Sequence, residues 1–78
     1  MFLLAQSGWV WLESGDAREA RRIASQALAR DPREWLAWAV LARAARNLGD
    51  THDEETAAVK ARALAPREAR RLIDSILP

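Results

Sequence analysis

An acidic stretch around the single histidine is the first place in this chain to look for chemistry. His52 stands among Asp50, Asp53, Glu54 and Glu55, and carboxylates spaced this closely can hold a cation. Acidic residues also favour the first turn of a helix, because they interact with the positive end of the helix dipole. The stretch lacks the spacing of an EF-hand loop, and a lone histidine at a helix start is typical of the protein surface. We therefore predict that these residues form neither a metal site nor a catalytic base.

The sequence contains no catalytic signature elsewhere. A nucleophile elbow, a phosphate-binding loop and a paired-histidine motif are all missing. The chain has no cysteine, which excludes disulfides and thiolate zinc sites and fits a reducing compartment. We expect a cytoplasmic protein that is not an enzyme and that binds no cofactor.

Arginine is the remaining residue type suited to a binding function. With 12 basic and 11 acidic residues the net charge is only +1, which argues against a general polyanion binder. Arg18, Arg21 and Arg22 cluster in one segment, but no aromatic residue stands beside them to stack on bases. A solvated helix face explains this cluster better than a nucleic-acid site does, so we expect no nucleic-acid partner.

The most apolar run lies at residues 1–12 and reads MFLLAQSGWVWL. It has neither the positively charged start nor the small-residue end of a secretory signal. It is also too short to cross a membrane, and Gln6, Ser7 and Gly8 interrupt it. We expect a helix that packs against the rest of a soluble protein, and no membrane partner.

The composition and the positions of helix-capping and helix-breaking residues together predict an all-helical chain. Alanine, leucine and arginine favour helix, and a chain of this length supports one small core. The first helix should run from about Phe2 to Ser14. The breaks between about five helices fall at Gly15-Asp16, at Asp31-Pro32, at Gly49-Asp50 and before Pro66.

Aspartate is placed to begin the second, third and fourth helices, at Asp16, Asp31 and Asp50. Asp16 and Asp31 are each followed three residues later by a glutamate, Glu19 and Glu34, which is the spacing of a capping box. The proline after Asp31 suits the first position of a helix. These local signals predict that the third helix begins directly after Asp31.

Small residues recur on the helix faces that we expect to be buried. Gly8 is costly inside a helix, by about 1 kcal/mol against alanine, so we expect a neighbouring helix to approach closely there. Trp11 and Trp38 should provide the bulk of the core, and we expect either change to alanine to cost about 3–5 kcal/mol. The other inward residues are expected to be Leu4, Leu12, Ala17, Ala20, Ala24, Ala27, Leu28, Trp35, Leu41, Ala42, Ala45, Leu48, Ala57, Ala58, Ala61 and Leu64.

The residues at the predicted helix boundaries recur after 34 residues. Gly15-Asp16 returns as Gly49-Asp50, and the triplet Pro32-Arg33-Glu34 returns as Pro66-Arg67-Glu68. The inward alanines repeat as well, because Ala24 pairs with Ala58 and Ala27 with Ala61. Glycine and proline occur only three times each, so this recurrence indicates an internal repeat of helical hairpins.

The repeat resembles the tetratricopeptide repeat family, whose unit is a helical hairpin of about 34 residues. The family's pattern falls in the first repeat on Leu4, Ser7-Gly8, Trp11, Ala20, Ala24, Ala27 and Pro32. In the second repeat it falls on Trp38, Leu41-Ala42, Ala45, Glu54, Ala58, Ala61 and Pro66. The departures are Ser7 for leucine, Ala45 for an aromatic residue and Glu54 for alanine. The resemblance implies a right-handed α-solenoid of two repeats, 1–34 and 35–68, with residues 69–78 as a capping helix or an incomplete third repeat.

A concave groove is the binding surface that this resemblance implies. In such stacks the first helix of each hairpin lines the groove, and the outward residues there would include Leu36 and Ala39. The family is known for capturing peptides, so we expect a non-catalytic interaction module, an adaptor or scaffold, for an acidic peptide or a C-terminal carboxylate. The groove residues that would bind the partner are Trp9, Glu13, Arg43, Arg46, Asn47 and Arg70.

Self-association is the alternative that the sequence leaves open. The first helix carries Phe2, Leu3 and Trp9 on different faces, so one neighbouring helix cannot cover all three side chains. The chain would then be a structural assembly domain that forms homo-oligomers or packs on the rest of a larger protein. A monomer with a partly exposed apolar groove and solvated arginines is the third interpretation.

Overall fold

A computed structural model of the protein describes the backbone of residues 2–77 and the side chains of residues 6–77. The described residues form five α-helices and one 3₁₀ turn. The elements are α1 (Phe2–Glu13), α2 (Ala17–Arg30), α3 (Trp35–Asn47), α4 (Thr51–Leu64), the 3₁₀ turn (Arg67–Ala69) and α5 (Arg70–Ile76). The described residues contain no strand. The prediction of an all-helical chain is confirmed.

α3 is the central helix, because it contacts all four other α-helices. α1 packs on α2 and on α3, α2 packs on α3, and α5 lies against α3 and α4. Among the buried residues of α3, Val40 is the one large side chain that is fully enclosed. The others that have no exposed surface are Ala37, Ala39, Ala42, Ala44 and Ala45. Small side chains let the surrounding helices approach α3 closely.

The ends of α1 and α3 follow the sequence signals. Gly15 and Gly49 have φ of +91° and +81°, a region that side chains disfavour. The Asp16 carboxylate accepts the backbone N–H of Glu19 at 3.0 Å, so the predicted cap of α2 is confirmed. The Asp50 carboxylate caps α4 in the same way, accepting from the backbone of Asp53 at 3.2 Å.

The connection between α2 and α3 differs from the prediction. Asp31 does not cap α3, because its carboxylate accepts the backbone N–H of Arg33 at 3.0 Å and closes a local turn. Pro32 lies inside this turn, and α3 begins only at Trp35. Asp31 has an extended backbone, φ −144° and ψ 95°, as expected for a residue before proline. Side-chain bonding within the turn therefore replaced the predicted capping box.

The predicted close approach of a neighbouring helix at Gly8 is confirmed, and two helices, α2 and α3, approach it there. A Cβ atom added at Gly8 would lie 3.0 Å from Val40 Cγ1 of α3 and 3.6 Å from Ile23 Cγ2 of α2. The carbonyl oxygen of Ala20 would be 3.5 Å away. The missing side chain therefore permits α1 to approach both α2 and α3.

Trp11 does not lie in the core, and this prediction was wrong. The side chain is 42% exposed, whereas Leu12 beside it is buried. α1 contacts only α2 and α3, so no element covers the side of α1 that carries Trp11. Leu48 and Leu64, also expected to face inward, are each 37% exposed. Trp38 is half-buried and packs against the core cluster, while the side chain of Leu4 lies outside the described residues.

Glu34, the residue before α3, is the one charged residue that is buried among the described residues. Both of its carboxylate oxygens are enclosed, and neither has a hydrogen-bond partner in the described structure. Burial raises the pKa of the Glu34 carboxyl, because the charged form loses its hydration there. The ionised side chain should therefore destabilise the folded chain.

Replacing Glu34 with glutamine is expected to stabilise the protein by on the order of 1 kcal/mol at pH 7.5. The folded chain binds the Glu34 proton more tightly than the unfolded chain does, so the wild type gains stability as the pH falls from neutral toward the unfolded pKa. The advantage of Glu34→Gln should accordingly shrink at pH 5. Urea unfolding at both pH values measures this effect. Glu55→Gln, at an exposed site on α4, is the matched control, and equal stability of the two variants at pH 7.5 would contradict the prediction.

Candidate partner-binding recess

A recess of about 110 Å³ lies between α1 and α3. Its lining from α1 comprises Trp9, Leu12 and Glu13, and its lining from α3 comprises Arg43 and Asn47. Residues four apart lie on one face of a helix, so each helix presents a pair of these side chains to the recess. Trp9, Glu13, Arg43 and Asn47 were all predicted from the sequence as groove residues. We call this site the α1–α3 recess.

The α1–α3 recess combines apolar surface with hydrogen-bonding groups of both kinds. Leu12 is buried, and Trp9 is half-buried and packs against the core cluster. Glu13 is exposed and offers a carboxylate, while Asn47 is exposed and offers both a donor and an acceptor. Such a lining suits an apolar side chain flanked by polar backbone, which is the chemistry of a peptide segment.

Arg43 also has a structural contact that the sequence did not indicate. Its Nη1 donates to the backbone carbonyl of Ile76 at 3.0 Å, in the last turn of α5. Carbonyls at the end of a helix lack intrahelical donors, so this bond ties α5 to α3. The guanidinium has five N–H donors, and the remaining ones can still face a ligand.

The predicted set of groove arginines does not converge on one site. Arg46 is exposed on α3 but does not line the α1–α3 recess. Arg70 lines a different recess, near the junction of α4 and α5. Leu36 and Ala39, expected to face outward, are 6% and 0% exposed. Because every other helix contacts α3, few of its residues remain at the surface.

The acidic stretch around His52 is explained by contacts within the fold. Arg21 of α2 reaches Asp53 at 2.5 Å and Asp50 at 3.4 Å, which links α2 to the start of α4. The pKa of Asp50 is lowered, chiefly by the hydrogen bond from the backbone of Asp53 and further by Arg21. In the part of the chain that the structure describes, no three acidic, histidine or cysteine residues are arranged to hold a metal ion.

The apolar residues that α1 exposes in the structure differ from those proposed for self-association. The side chains of Phe2 and Leu3 lie outside the described residues, and Trp9 lines the α1–α3 recess. The apolar residues that α1 exposes are Val10 and Trp11, at 62% and 42%. The sequence pattern missed this pair because it assigned Trp11 to the core.

Comparisons of the chain with protein-family models, with curated proteins and with solved structures find no significant match. Among the described residues, no helix has both the length and the apolar character needed to cross a membrane. The function must therefore be argued from the side chains of the site itself.

Proposed function

We propose that this chain is a non-catalytic interaction module that binds a peptide or a protein surface in the α1–α3 recess. The observation that carries this proposal is the combination in one recess of the apolar Trp9 and Leu12 with Glu13, Arg43 and Asn47. Sites for peptides use an apolar pocket for affinity and a few polar groups for orientation. The module acts as an adaptor or scaffold.

The architecture proposed for this module is a right-handed solenoid of two tetratricopeptide-like hairpins, 1–34 and 35–68, capped by the last helix. Equivalent positions in the two hairpins have equivalent geometry, which supports the repeat. Gly15 and Gly49 both have positive φ, and Asp16 and Asp50 both cap the helix that follows. The contact between α1 and α3, the first helices of the two hairpins, is compatible with stacking.

The ligand proposed for the α1–α3 recess carries an apolar side chain next to an acidic group. The apolar side chain packs on Trp9 and Leu12, and the acidic group faces Arg43 inside the recess. The ligand extends beyond the recess toward Arg46, which is exposed about one turn further along α3. Glu13 repels a carboxylate at the α1 side of the recess, so charge also sets the direction in which the peptide lies.

Blocking the α1–α3 recess is expected to abolish peptide binding while leaving the fold intact. Asn47 is exposed, so Asn47→Trp adds bulk at the recess without entering the core. Peptides would first be selected on the wild type from a displayed library of short acidic and neutral sequences, and their affinities then measured for each variant. Asn47→Trp should lose binding, and Arg46→Glu should weaken acidic peptides by about tenfold.

Gln26→Trp is the matched control, because Gln26 is an exposed amide on α2, which contributes nothing to the recess. It should bind the selected peptides like the wild type. Wild-type affinity in Asn47→Trp, or a loss as large in Gln26→Trp, would contradict the placement of the ligand in the α1–α3 recess.

The second candidate function is a structural assembly domain, and the exposed pair Val10 and Trp11 favours it. Two large apolar side chains that are neighbours on an uncovered helix side can pack against a second copy or another part of a larger protein. Sedimentation that shows a monomer over a wide concentration range would exclude the homo-oligomer.

A further inference from the structure

A second recess, of about 100 Å³, lies at the junction of α4 and α5. Three arginines contribute to it: Arg62 from α4, Arg67 from the 3₁₀ turn and Arg70 at the start of α5. Its other walls are formed by Ala65, Pro66 and Ile73. We call this site the arginine recess.

The 3₁₀ turn directs two of these arginines to the same side. Arg70 follows the 3₁₀ turn directly, and its backbone N–H donates to the carbonyl of Arg67, the three-residue bond of a 3₁₀ helix, which brings side chains three residues apart to the same side. The turn is closed by the backbone N–H of Ala69, which donates to the carbonyl of Pro66 at 3.0 Å. Proline restricts the backbone at the entry to the turn. The two guanidinium groups are therefore attached to a restrained segment.

Arg62 is bonded to α5 and to the residue that follows it. Its Nη1 donates to the Asp74 carboxylate at 3.2 Å, and its Nη2 lies 3.5 Å from the carbonyl oxygen of Leu77. Among the described residues, the side chains of Arg67 and Arg70 have no hydrogen-bond or ion-pair partner. Of the three guanidinium groups, only that of Arg62 is therefore bonded to a carboxylate in the part of the chain that the structure describes.

We propose that the arginine recess binds a doubly charged oxyanion, the phosphate monoester group. Guanidinium groups form paired N–H···O bonds with phosphate oxygens, and two unpaired ones beside a held third match a dianion better than a single carboxylate. Free phosphate and a phosphorylated side chain both carry this group. The site shares no residue with the α1–α3 recess and does not depend on the function proposed there.

The test is an NMR titration of the full chain with inorganic phosphate, O-phosphoserine and acetate at constant ionic strength. Phosphate or phosphoserine should shift the backbone signals of residues 65–73 saturably, and acetate should bind at least about tenfold more weakly. Tighter binding of phosphoserine than of phosphate would assign a phosphorylated side chain as the source, and the reverse order would assign free phosphate.

Two double variants that remove the same positive charge distinguish phosphate binding in the arginine recess from non-specific electrostatic attraction to the protein. Arg67→Gln/Arg70→Gln should weaken phosphate binding by about tenfold or more. Arg18→Gln/Arg71→Gln removes two exposed arginines outside the recess and should bind like the wild type. Unsaturable shifts, equal binding of acetate and phosphate, or equal losses in the two double variants would each overturn the proposal.

Discussion

Replacement of Trp38 by alanine is expected to lower the free energy of unfolding by about 3 kcal/mol. The half-buried indole packs against the core cluster, and its Nε1 donates to the carbonyl of Pro32 at 2.7 Å. Lys60 of α4 lies over the ring, with its Nζ 5.9 Å from the centroid. Trp38 therefore joins the α2–α3 turn, α3 and α4. A domain of this size has only about 4–12 kcal/mol of total stability, so the loss should be evident in urea unfolding.

Two further tryptophan variants locate the origin of this effect. Trp38→Phe keeps an aromatic ring but loses the hydrogen bond to Pro32, and we expect a cost of about 1 kcal/mol. Trp11→Ala removes the same number of atoms from an exposed site and should cost less than about 1 kcal/mol. A larger loss in Trp11→Ala than in Trp38→Ala would contradict the assignment of Trp38, rather than Trp11, to the core contacts.

Substitution of Gly8 by leucine is expected to destabilise the protein by about 3 kcal/mol. A Cβ atom there would lie 3.0 Å from Val40 Cγ1, and Val40 is fully buried, so the larger leucine side chain must displace its neighbours. Leucine favours helix over glycine by up to about 1 kcal/mol, which offsets only part of this clash. Separation of α1 from α2 and α3 is the structural consequence that we expect.

A double-mutant cycle with Val40→Ala tests the contact directly. Removing the Val40 methyl groups should recover part of the loss in Gly8→Leu, so the two changes together should cost less than the sum of their separate effects. Gln6→Leu, at an exposed position of the same helix, is the control and should leave stability nearly unchanged. Additive losses would mean that leucine at Gly8 avoids Val40.

Helix ends were the part of the fold that the sequence predicted best. Gly15, Gly49, Asp16 and Asp50 act through their own backbone conformation or through a hydrogen bond to a residue three positions away. Such effects need no distant partner, so residue type and spacing suffice to predict them. The close approach at Gly8 was predictable for a related reason, since glycine inside a helix is costly without one.

Local signals failed where two of them competed. Asp31 can cap a helix or close a turn through its side chain, and both use the same carboxylate. The turn formed, so α3 begins at Trp35, and Glu34 is left buried without a hydrogen-bond partner in the described structure. A capping-box pattern cannot distinguish these outcomes, because the choice depends on how α3 docks against its neighbours.

The sequence by itself determined that the chain is helical, where most of its helices end and that small residues face inward. Only the tertiary structure decided which large side chains are covered and which charged groups meet. Trp11 is exposed because no element packs on its side of α1, and Arg43 is tied to the carbonyl of Ile76, 33 residues away. Arg70 joins Arg62 and Arg67 rather than the α1–α3 recess for the same reason. Periodicity specifies the face of a helix, whereas the neighbours of that face depend on how the whole chain packs.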